Sequence, residues 1–219
     1  MAKKYLSNKT INLLEYYSTL NFTNFFSNDQ TKSNQNSLNK EQLIIELFKE
    51  INNQLTLKKN NNFFFKGNPN SSIMIFGDFP DENDIKNQEI FSESKGDLLI
   101  KMLSAISLDI EKYYLTNIYF DKKINIQNKS DFYRNILFKH IKIIKPKYIL
   151  LLGEVVSNFF NNSNKKIIDL HGEWNVIVID KYKFNTFTIL NPNDLLKTPE
   201  HKKLAWEDLK KFKKEIMKD

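Results

Sequence analysis

A chain of 219 residues with 41% hydrophobic and 13% aromatic side chains can bury one sizeable core, which excludes a disordered tail. Its 33 Lys and Arg against 26 Asp and Glu leave a formal charge of +7, an excess that suits a polyanion such as nucleic acid and that a lysine-rich coding bias would also produce. Zero cysteines exclude disulfides, thiolate-held zinc, iron–sulfur clusters and a cysteine nucleophile, and the three scattered histidines, His140, His171 and His201, leave little for a histidine-based metal site. Chemistry must then come from carboxylates, amides, hydroxyls or the backbone. No apolar run approaches the ~18 residues of a membrane span. Polar sequence follows Met1-Ala2-Lys3-Lys4 where a signal peptide would carry its apolar core, so a soluble, cytoplasmic protein is expected.

Residues 1–53 read as a helical extension, with helices at about Asn8–Leu20 and Leu38–Asn53 joined by the polar linker Ser27–Asn36. Residues 54–219 read as the main domain. Gly67-Asn68-Pro69-Asn70 is a turn, and Ser72–Phe76 is a short apolar run of the kind a buried strand needs, ending at Gly77 and followed by a loop with Pro80. Helical periodicity marks Gly96–Ser107, a strand fits Tyr114–Tyr119, and a second periodic stretch covers Ser130–Ile144. The turn Lys145-Pro146-Lys147 then leads into the strand Tyr148–Leu152, Gly153 and a helix from Glu154 to Phe160. A hairpin arm at Val176–Asp180, a strand at Thr186–Leu190 and a helix at His201–Met217 complete the chain. Short apolar strands alternating with helices predict an α/β fold, three layers deep, with helices on both faces of a mostly parallel sheet. Such sheets hold ligands beyond the carboxyl ends of their strands. The predicted site therefore lies just after Phe76, at Asn117–Tyr119, after Leu152 and after Leu190.

Six motifs stand at those places and between them. They are Gly77-Asp78-Phe79-Pro80-Asp81, Phe91 with Gly96-Asp97-Leu98-Leu99, Thr116-Asn117, Lys145-Pro146-Lys147, His171-Gly172-Glu173-Trp174, and Asn191-Pro192-Asn193-Asp194-Leu195-Leu196. Their order and spacing resemble the uracil-DNA glycosylase superfamily, most closely the bacterial family 4 enzymes, from about Gly67 to Lys213. All five glycines and all five prolines of the chain fall where that pattern puts them. The resemblance implies a monomer that acts on DNA, flips a uracil or related deaminated base from the stack, and hydrolyses its bond to the sugar.

It also implies roles for single residues, each of which has a plainer reading. Phe91 would stack on the flipped base, or else it is one of eighteen phenylalanines filling core. Phe79 would line the same pocket, and Asn117 would pair its amide with the uracil edge or cap its own turn. Asp78 stands where family 4 has Glu and would orient or activate water; otherwise it is a solvated loop carboxylate or the N-cap of a turn. The shorter reach predicts reduced activity. Asp81 replaces the family's second glycine, at a position that tolerated positive φ. Asn191 replaces the family's His, the donor to negative charge growing on the base, a task an amide performs more weakly; its plainer reading is a turn initiator. Asn193, Leu195, Leu196 and Lys197, with His201-Lys202-Lys203, would form a DNA-binding loop in which one leucine wedges into the duplex and the other is core.

No metal is expected, and the family's iron–sulfur cluster cannot form without cysteine. Near Gln54–Leu57, after Asn117 and around Tyr133 the chain has polar, aliphatic and aromatic residues, and packing of Leu55, Leu57, Tyr133 and Ile136 is expected to replace the cluster's bracing. Phe120-Asp121-Lys122-Lys123-Ile124 replaces the family's arginine- and proline-rich segment. Two functional classes remain open: a glycosylase, and a catalytically degenerate DNA-binding protein that keeps the fold.

Overall fold

The computed structural model describes residues 33–55, 64–120 and 130–218. The expected helix at Asn8–Leu20, most of the polar linker, Leu57 and residues 121–124 lie outside the described residues. The chain divides after Asn36, and the contacts below lie within Ser37–Asp219.

Six strands form one sheet: β1 (Phe65–Gly67), β2 (Ile73–Gly77), β3 (Tyr114–Asn117), β4 (Tyr148–Leu152), β5 (Trp174–Ile179) and β6 (Tyr182–Ile189), in spatial order β1-β3-β2-β4-β6-β5. The four central strands are parallel, with Gly77 opposite Asn117, Ile75 opposite Leu150, and Leu150 opposite Phe187. The edge strands β1 and β5 run antiparallel to their neighbours. Every residue of β2, β3 and β4 is buried, as a parallel sheet covered on both faces requires.

Side-chain alternation separates two cores. Ile73, Ile75, Leu115, Leu150, Leu152, Phe187 and Ile189 face an aliphatic core shared with α3 (Glu93–Ala105), α6 (Pro192–Lys197) and α7 (Lys202–Ile216). Met74, Phe76, Tyr114, Ile149 and Leu151 face the other way, toward α1 (Ser33–Leu55), α4 (Ser130–Ile144) and α5 (Glu154–Asn161). That second core is largely aromatic. Ile44, Leu47, Phe48 and Ile51 give α1 a buried stripe at helical spacing, and the Phe48 ring lies 5.0 Å from both Phe64 and Phe65. Phe65 stacks on Tyr114, whose hydroxyl meets His140 Nε2 at 2.7 Å. Complete burial lowers the His140 pKa to about 3, so its imidazole is neutral at physiological pH.

The elements differ from their expected bounds where local sequence and tertiary packing compete. β4 and α4 begin and end at the expected residues, while α1 starts at Ser33 and takes the end of the polar linker into its first turn. β6 begins earlier than expected, at Tyr182, where exposed Lys183 and Asn185 alternate with buried Phe184 and Thr186. A short helix, α2 (Glu82–Asn87), occupies the expected Pro80 loop, and α6 occupies the expected DNA-binding loop. Each is nucleated by a side-chain N-cap, Asp81 and Asn191 respectively.

If α1 is a core element through Phe48, Phe48→Ala should cost about 3–5 kcal/mol in equilibrium denaturation. A loss below about 1 kcal/mol, the size of a surface effect, would remove α1 from the core.

Candidate active site

The chain leaves β2 for β3 on one side and returns to β4 on the other, so strand order reverses at β2. A crevice at the carboxyl ends is the geometric result. Asp78 follows β2, Asn117 ends β3, Gly153 follows β4 and Asn191 comes two residues after β6.

Gly77 fixes the first corner. A Cβ there would lie 2.4 Å from Asn117 Oδ1 and 2.6 Å from Phe91 Cζ, so the space over this residue belongs to the amide and the ring. Beyond the strand ends the Ile118 N–H donates to Gly77 O and the Tyr119 N–H to Asp78 O, both at 2.9 Å, which anchors the first loop. Phe91 is half-buried against the aliphatic core and has φ 54°, a conformation bulky residues avoid. Gly96 permits it, since a Cβ there would stand 1.7 Å from the Phe91 carbonyl oxygen.

A buried polar network joins this turn to the first loop. Asp84 accepts from the Ser92 N–H at 2.8 Å and from its hydroxyl at 3.0 Å, and pairs with Lys95. Lys95 also pairs with Asp81 at 2.8 Å. Asp81 has extended backbone, φ −88°, and accepts from the Asn83 and Asp84 N–H groups, so the side chain at the family's glycine position caps a helix without a positive φ. Burial pushes the Asp81 carboxyl up, and the Lys95 ammonium with the capping N–H groups outweighs it, holding the pKa below the usual range. Sequence reasoning missed Asp84 and Lys95. The Asp81/Asp84 spacing is that of a capping box, whereas nothing marks Lys95 among so many lysines.

The second corner joins Asp78 to Asn191. Asp78 Oδ1 accepts from the Phe79 N–H at 2.9 Å, and Asp78 Oδ2 accepts from Asn191 Nδ2 at 3.3 Å. Asn191 Oδ1 accepts from the Asn193 N–H at 2.9 Å, and Nδ2 also donates to Leu152 O at 3.4 Å. Gly153, at φ 94°, leaves room for this side chain, because a Cβ there would lie 2.9 Å from Asn191 Cβ. Burial raises the Asp78 pKa above the ordinary carboxylate range, opposed by the Phe79 N–H and the Lys95 charge. A carboxylate with a raised pKa, facing an amide donor, is suited to proton abstraction from water.

The expected DNA-contacting residues separate by burial. Leu195 is 1% exposed and belongs to the core, whereas Leu196 is 42% exposed on α6, with Lys197 exposed beside it. Asn193 is half-buried and Phe79 is partly exposed.

The residues around Tyr133 do not fit an iron–sulfur cluster. The chain supplies no thiolate, and Tyr133 is buried with Tyr119 at 5.0 Å, Phe132 at 5.4 Å and Phe120 at 5.8 Å. Among the described residues no three His, Asp or Glu side chains gather as a metal ligand set.

The Asp78 shift has a testable sign. Its folded pKa lies above the unfolded value, so the native state holds the proton longer and this group costs stability as pH rises past the unfolded value. Asp78→Asn should therefore raise Tm at pH 7, with the gain fading below about pH 4, where the unfolded carboxyl is itself protonated. Thermal unfolding at both pH values checks this, and an equal effect at both would refute the assigned cause.

A type-4 uracil-DNA glycosylase of Sulfurisphaera tokodaii is 26% identical over 157 residues, covering 68% of this chain and 71% of the relative. The sequence pattern of the uracil DNA glycosylase superfamily matches residues 64–210, a span that holds both corners of the crevice, and the chain belongs to that superfamily.

Proposed function

We propose that the protein is a cofactor-free DNA glycosylase that hydrolyses the N-glycosidic bond of uracil, or a related deaminated base, in DNA. The observation that carries this reading is the Asp78–Asn191 contact, 3.3 Å, beside the corner where Phe91 and Asn117 close over Gly77. A flipped base stacks on Phe91, with Phe79 beside it, and presents its Watson–Crick edge to the Asn117 amide. Asp78 takes a proton from water as the water oxygen bonds to the sugar C1′. The C1′–N1 bond breaks, and the base leaves with its electron pair. Asn191 Nδ2, turned from Asp78 to the departing base, donates to the oxygen on which charge accumulates. Asn193, Leu196 and Lys197, with Lys202 and Lys203, face the duplex: the exposed leucine enters the stack and the cations hold phosphate, while Leu195 supports them from the core.

A second reading, a DNA-binding protein without turnover, is favoured by one observation: the Asn191 donor is already occupied by Asp78 and by Leu152 O. Single-turnover excision from uracil-containing oligonucleotides at large enzyme excess separates the two. Asp78→Ala and Asn191→Ala should each lower the rate by roughly 10²–10³, the scale of a lost oxyanion donor. Salt-sensitive DNA binding with no cleavage would establish the second reading. Asn117→Ala should abolish excision while retaining most DNA affinity, and surviving excision would remove Asn117 from base reading.

A further inference from the structure

The proposed chemistry leaves one buried cation unused. The Lys95 side chain is 7% exposed, and a buried ammonium is tolerated only when paired and hydrogen-bonded. Its two partners, Asp84 and Asp81, flank the start of α2 immediately after the Asp78 loop. Lys95 itself sits on α3, four residues beyond Phe91, and its Nζ lies 5.8 Å from the Phe91 ring centroid, within cation–π range. Asp84 grips the same turn through both hydrogen bonds from Ser92, the residue after Phe91. Both carboxylates hold the ammonium, which leaves no free amine to act as a nucleophile.

We propose that Lys95 is a positioning residue of the base pocket: clamped by Asp84 and Asp81, it holds the Phe91 ring in its left-handed turn and ties that turn to the Asp78 loop. The proposal rests on the reading of Phe91 as the stacking platform. Lys95 then matters to excision through Phe91 as well as through its charge on Asp78, and the first route requires that Lys95 and Phe91 be energetically coupled.

A double-mutant cycle measures that coupling. Single-turnover excision and DNA affinity are compared for the unaltered protein, Lys95→Met, Phe91→Leu and the pair. Lys95→Met should slow excision about tenfold, the scale of a desolvated cation–π contact, with DNA affinity changed less than about twofold. In the Phe91→Leu background the same change should slow the rate clearly less than in the unaltered protein. Losses that multiply, or a fall in DNA affinity that accounts for the slower rate, would overturn the proposal. Because Lys95→Met strands the Asp84 charge, the cycle is repeated with Lys95→Met/Asp84→Asn, and the same two criteria apply.

Amide exchange of Ser92 in the free protein supplies a readout independent of activity. Exchange should accelerate about tenfold in Lys95→Met as the turn loosens. Unchanged protection would overturn the proposal even in an active enzyme. Absence of excision by the unaltered protein would instead refute the functional reading, and the exchange result would still decide whether Lys95 holds the turn.

Discussion

The space above Gly77 is too small for a methyl group, and the organisation of the crevice follows from that. A strand end without a side chain lets a ring from the α2–α3 turn and an amide from the adjacent strand close over the same point. The ring reaches it because Phe91 accepts a left-handed conformation, and it does so only where Gly96 leaves its carbonyl room. Two glycines nineteen residues apart thus define one wall. Parallel pairing of β2 with both β3 and β4 then fixes where the remaining groups can stand.

The two cores serve this crevice differently. The aliphatic one carries α3, α6 and α7, which hold Lys95 and the segment after Asn191. The aromatic one fills the region around Tyr133 with rings, whose edge-to-face contacts have directional preferences that aliphatic packing lacks. Its His140 is fully buried. The only arginine in the chain, Arg134, is placed there, donating to Phe159 O at 3.1 Å with its guanidinium 5.1 Å from the Phe159 ring. A planar guanidinium can lie flat on a ring while its N–H groups donate in the plane.

Much of this architecture was legible in the residues. Continuous apolar runs between turn signals marked β2 and β4, and strict helical spacing marked α4. β1 was not legible, since three residues ending in Gly67 carry no periodicity. α2 and α6 were hidden because proline and acidic residues suit a loop and a helix start equally well. Motif spacing indicated Asp78, Asn117 and Asn191, all at strand ends, and it left open which of the two leucines was buried. Lys95 gave no signal because its burial is decided by Asp84, a partner eleven positions away across a turn that sequence alone does not fold.

Asn191 begins α6 and faces Asp78 with the same side chain. Its oxygen is consumed by the Asn193 N–H, so the amide cannot flip, and its nitrogen is committed to the crevice. Aspartate or serine would preserve the helix start and lose a fixed donor; histidine would preserve the donor and weaken the cap. Glutamine carries both functions on a longer arm. Under the proposed chemistry, folding and catalysis draw on one amide, and a substitution at this position is read through both.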